Sequence, residues 1–175
     1  MKKAFTLIEL LIVILIIGVV YTLAIGNFQK VAQPQTRVTL ATLKEYLKGF
    51  EYQKKVRFLC LDDCSSCDVF VDGKKQTELE GVFDNFIDDS IKTYRYSVLD
   101  GIVNMEYNPF FDADGIEQDV CFSFSVDKQG VSDQVVVEFN NKVYDYTPYF
   151  EKTKIYYSIE DFIEAKEKIY QEVMQ

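Results

Sequence analysis

Residues 5–26 read FTLIELLIVILIIGVVYTLAIG, 22 positions in which Glu9 is the one charged side chain. As a helix rising about 1.5 Å per residue, the run spans roughly 33 Å, the hydrocarbon thickness of a bilayer. Lys2 and Lys3 stand just before it. Basic residues stay on the cytoplasmic side, so the N-terminus is expected to face in and the chain beyond the run to face out. A secretory signal peptide would have a shorter apolar region followed by a small-x-small cleavage site. A plain signal anchor holding a soluble domain gains nothing from Glu9, which costs on the order of 2.5–3.5 kcal/mol at mid-membrane depth and less near the interface. A subunit that pairs Glu9 with a cation on a neighbour gains register and specificity from it.

The rest of the chain differs sharply. Of 175 residues, 19 are Lys or Arg and 28 are Asp or Glu, a net charge of -9, with four cysteines and neither His nor Trp. The length allows one ordinary domain plus an appendage. A hydrophobic content of 48% is enough to build a core and excludes wholesale disorder. Without His there is no His-based triad, His general base or mixed Cys/His zinc site. The acidic balance makes nucleic acid an unexpected partner, because phosphate binding needs clustered cations. Lys74-Lys75 and the pair Lys152 and Lys154 are the small basic patches that would serve if they converged.

The stretch KKAFTLIELLIVILIIGVV resembles the N-terminus of type IV prepilins and of type II secretion pseudopilins. The resemblance covers about 25 residues. It implies a basic leader ending at Ala4, cleavage by a prepilin peptidase between Ala4 and Phe5, and N-methylation of Phe5. It also implies that Glu9, fifth in the mature chain, meets the N-terminal ammonium of an adjacent subunit during assembly. Two buried opposite charges compensate each other only when both are in place. Ala4 replaces the family's usual Gly, and Gly26 stands where many members carry a kinking Pro. Gly18 and Gly26 each loosen a helix by about 1 kcal/mol relative to Ala. Loss of residues 1–4 removes Lys2 and Lys3 and takes the side-chain balance to -11.

The fold class expected is α+β: a long N-terminal helix, transmembrane in its first half, packed on a C-terminal antiparallel head that ends in a helix. The boundaries are 1–4 for the leader, 5–26 for the membrane or filament-core helix, 27–58 for its amphipathic continuation and 59–175 for the head. Leu40, Leu43, Leu47 and Phe50 supply the apolar stripe of the continuation, with Pro34 as a kink. The pattern predicts one helix to about residue 55. In the head, residues 68–71 read as a strand closed by Asp72-Gly73, and residues 76–90 show helical spacing through Leu79, Val82, Phe83, Phe86 and Ile87. Residues 93–107 read as a hairpin about a two-residue Asp100-Gly101 turn, and residues 135–146 as another about Asn140-Asn141. Residues 120–126 alternate apolar and small side chains. Ser158 reads as the N-cap of a final helix whose buried side carries Ile159, Phe162, Ile163, Ile169, Tyr170 and Val173.

Cys60, Cys64 and Cys67 cluster, and Cys121 is distant. In an exported head the even count favours disulfides, with three pairings open. Four thiolates about a metal, or a redox-active Cys64-x2-Cys67, are the alternatives. Asp112, Asp114, Glu117 and Asp119 surround Gly115 and form a candidate structural Ca2+ loop, against the plainer reading of a solvated acidic turn. Ser123 stands where an EF-hand loop would place its last Glu, and the calcium loop of major pseudopilins supports the reading by analogy alone.

The function expected is that of a filament subunit, a minor pilin or pseudopilin, with other pilin-like subunits, an assembly platform and the membrane as partners. The last cysteine, Cys121, lies far from the C-terminus, unlike the usual pilin pair, and the mature length favours a minor subunit. The alternatives are a tip-binding module for DNA, a surface or an exported substrate, and a simple membrane-anchored periplasmic protein. No catalytic motif is present, so an enzyme is not expected.

Overall fold

The computed structural model describes Ile8, residues 10–17, 38–112 and 114–174. Ala4, Phe5, Glu9, Gly18, Gly26 and Pro34 lie outside the described residues, and with them most of the expected membrane helix. The chain divides into two units, Met1–Arg37 and Val38–Gln175. In the first, Ile8 and residues 10–17 have helical backbone.

The second unit opens with a turn and a six-residue helix, α1 (Leu43–Lys48). The stripe read from the sequence is real here: Leu40, Leu43 and Leu47 are all buried. The predicted continuation of helix through residue 58 is corrected, because Gly49 caps α1 through its N–H on the Tyr46 and Leu47 carbonyls. Strand β1 (Lys55–Leu61) begins six residues later, inside the segment assigned to helix. Its Val56, Phe58 and Cys60 point to one side at period two and are fully buried, and this alternation outweighs any helical continuation.

Strands β2 (Ser66–Val71) and β3 (Lys74–Lys75) follow, joined by the expected Asp72-Gly73 turn. The helical spacing in residues 76–90 is realised only as a 3-10 turn at Thr77–Leu79 followed by a series of loops. Gly81 and Asn85 both take positive φ, which breaks a helix there. Phe83 and Ile87 are still buried, and Phe58 packs edge-on against Phe83 and Phe86, with ring centroids 5.1 and 5.2 Å away. Strands β4 (Lys92–Ser97) and β5 (Gly101–Asn104) form the next hairpin. Ser97 pairs with Gly101, so the connection is the three residues 98–100 rather than a two-residue Asp-Gly turn.

A small hairpin, β6 (Phe110–Phe111) with β7 (Glu117–Gln118), precedes β8 (Val120–Asp127). Strands β9 (Val136–Phe139) and β10 (Lys142–Asp145) turn at Asn140-Asn141 as expected, both residues with positive φ. Strand β11 (Lys154–Tyr156) and helix α2 (Ile159–Val173) complete the chain. Ser158 caps α2 by accepting from the Asp161 N–H, and an uncapped start costs about 1 kcal/mol.

Beside the β6-β7 pair, two larger antiparallel sheets result, in the orders β3-β2-β1-β8 and β11-β10-β9-β4-β5. The inner face of the first, α1 and one face of the second share a core around Phe58, Phe122, Phe124, Val137 and Tyr146. Strand β9 alternates, so Val136 looks the other way, toward Val143 and Phe162 of α2. Phe162 packs edge-on between Tyr96 and Tyr156. The expected buried side of α2 is corrected beyond that point: Ile169, Tyr170 and Val173 are exposed, because only the first half of the helix packs over β10 and β11.

Candidate functional site

Among the described residues of the N-terminal unit every side chain is apolar. Ile8 and all eight residues of 10–17 are exposed, each between 43% and 68%. A helix without a polar face has to be covered all round by lipid or by other helices. Completing the burial of such side chains is worth on the order of 1 kcal/mol each, so the whole run is strongly driven to find that cover.

In the second unit the cysteines are paired. Cys60 joins Cys67, and Cys64 joins Cys121. Cys60 and Cys67 are direct cross-strand partners in the β1–β2 register, with Cα atoms 4.1 Å apart. The second bridge depends on an irregularity. Between Cys60 and Leu61 the β8 partner jumps from Phe122 to Val120, which leaves Cys121 as the extra residue of a bulge. A bulge re-aims a side chain, and Cys121 is thereby delivered to Cys64 in the loop between β1 and β2. The four-thiolate metal reading and the redox reading are set aside by these pairings.

The acidic loop is a tight turn between β6 and β7. Asp112 accepts hydrogen bonds from the N–H groups of Asp114 and Ile116 through one carboxylate oxygen. The Asp119 carbonyl accepts from the Asp62 N–H. Among the described residues no group of three or more acidic or cysteine side chains is placed to hold a metal ion. The basic patches lie on different sheets, each already paired with an acid. Lys75 lies at the edge of one sheet, paired with Asp68 at 2.8 Å, and Lys154 at the edge of the other, paired with Glu151 at 2.7 Å.

Sequence reasoning missed a polar clamp between α1 and the strands. Lys44 is fully buried, and its ammonium donates to the carbonyls of Pro148 and Glu151 at 2.5 and 3.0 Å. Burial lowers its pKa from the usual lysine value, with Lys48 adding to the effect. The buried Tyr146 hydroxyl donates to the Leu40 carbonyl, and burial raises its pKa well above the ordinary value. Position 44 lies four residues after Leu40, on the same helical face, and that spacing was the available signal.

A second buried charge is Asp145, which shares the α2-facing side of β10 with Val143. It accepts from the N–H and hydroxyl of Thr147 and pairs with Lys166 of α2 at 2.7 Å. Lys166 also donates to the Thr147 hydroxyl. This ion pair fastens α2 to the sheet.

Residues 1–25 match the prokaryotic N-terminal methylation motif, the prepilin-type motif of type IV pilins and pseudopilins. The chain carries the N-terminal signature of a pilin-like subunit, which implies processing by a prepilin peptidase and assembly with other such subunits. No curated protein and no solved structure matches the chain.

Proposed function

We propose that this chain is a minor pilin or pseudopilin, a non-enzymatic subunit of a type IV pilus-like or type II secretion filament. The observation that carries the reading is the methylation motif over residues 1–25. It is supported by helical residues that are apolar on every side. In this reading Phe5 becomes the methylated N-terminus after cleavage behind Ala4. The helix is held in the inner membrane with its N-terminus cytoplasmic, and then leaves lipid for a bundle of sister helices. The head lies outside, in an oxidising compartment where two cystines persist.

Co-expression with a prepilin peptidase, followed by intact-mass measurement, tests this directly. The expected product lacks residues 1–4 and carries one added methyl. An unchanged mass, with the peptidase active on a second substrate, would overturn the assignment. A Glu9→Val chain is expected to be cut normally yet to enter filaments on the order of tenfold less, the equivalent of about 1.4 kcal/mol. Normal incorporation would remove the register role from Glu9.

A further inference from the structure

Ligand pockets run from about 300 to 1,000 Å³, and the outer face of the four-stranded sheet carries one of about 830 Å³ beside the β6–β7 hairpin. Its floor is apolar: Leu59 and Leu61 of β1, Phe70 of β2 and Phe110 of the hairpin. Phe70 and Phe110 hold the hairpin in place, with ring centroids 5.7 Å apart. The alternation that sends Val56, Phe58 and Cys60 into the core sends Lys55, Arg57, Leu59 and Leu61 along this groove.

Charge is separated along it. Lys55 and Arg57 lie toward one end and make no ion pair with any described residue. Asp62 and Asp63 follow the other end of the same strand and are likewise unpaired. Asp68, midway and opposite Leu59, is neutralised by Lys75. Hydrogen bonding from Ser65 lowers the Asp63 pKa below the usual carboxylate value and keeps it charged. From Lys55 to Leu61 the strand covers about 20 Å at roughly 3.3 Å per residue, the span of five or six extended residues.

We propose that this groove binds an extended peptide segment, acidic at one end, apolar in the middle and basic at the other. Its acidic end rests on Lys55 and Arg57 and its basic end on Asp62 and Asp63. Alternate side chains of an extended segment would meet the apolar floor, and the end charges would fix its direction. The proposal goes beyond the filament reading and does not rest on it, so failure here leaves the intact-mass result untouched.

The test uses the full-length chain in lipid nanodiscs and fluorescein-labelled, end-blocked pentapeptides read by anisotropy. The probes are Glu-Val-Leu-Val-Lys, its reverse Lys-Val-Leu-Val-Glu, and the neutral Gln-Val-Leu-Val-Gln. One charged probe is expected to saturate below about 1 mM. The neutral probe, and the charged probe on an Arg57→Glu chain, are each expected to bind about two- to fivefold more weakly, the scale of an exposed ion pair. An Arg57→Gln chain, with its unfolding midpoint measured alongside, separates lost binding from lost folding. Equal binding of the neutral probe, indifference to both Arg57 variants, or no saturation of either charged probe overturns the proposal. So does Arg57-dependent self-association without peptide binding, which would assign the groove to a second copy.

Discussion

A Cys64→Ala/Cys121→Ala chain is expected to lose about 4 kcal/mol of head stability, the loop-closure entropy of a long covalent ring. The bridge spans a sequence separation of 57, whereas Cys60–Cys67 spans 7. The same arithmetic gives about 2.4 kcal/mol for the shorter ring. The order of the two losses is therefore the discriminating result. The chain has twelve Tyr and no Trp, so denaturant unfolding can be followed by tyrosine emission. A loss below 1 kcal/mol for the long bridge, or a larger loss for the short one, would refute the entropic account.

Asp145→Ala is expected to cost about 3–5 kcal/mol, because it strands the Lys166 ammonium beside Tyr96 and Phe162 with its charge uncompensated. Lys166→Met should cost a similar amount by leaving Asp145 buried and unpaired. The double variant should then be at least about 2 kcal/mol more stable than the sum of the single losses predicts. Strict additivity would show that the two groups are independent despite their 2.7 Å separation.

Much of this architecture was legible in the sequence because several local signals agreed. Asn140-Asn141 between the runs 135–139 and 142–146 specified its hairpin, and Ser158 with Asp161 specified the start of α2. The alternation of residues 120–126 placed Phe122, Phe124 and Val126 inside, as found. The misreadings came where two periods competed. Leu40, Leu43, Leu47 and Phe50 set a helical rhythm that was carried past Gly49, although Val56, Phe58 and Cys60 had already changed it to period two. Residues 79–87 kept helical spacing but served as an aromatic plug, because tertiary packing on Phe58 outweighed local propensity.

The sites show the same division. The methylation motif is contiguous, so it could be read directly. The disulfide partners could be narrowed but not assigned, since the bulge that frees Cys121 is a property of pairing between distant strands. The groove stayed hidden for a related reason. A helix through residue 58 would carry Lys55 and Arg57 on different faces from those of a strand, and their shared outward face exists only once β1 is a strand.

The Leu40–Tyr146 and Lys44–Pro148/Glu151 contacts have a mechanical consequence. A pull applied at Val38 reaches the head within a few residues and is passed at two points to the chain just beyond β10. The grip joins positions more than a hundred residues apart, so tension cannot peel the first turn away one residue at a time. It must shear the Leu40–Lys48 segment from residues 146–151 as a block, and the load then spreads into a sheet that α2 braces from behind.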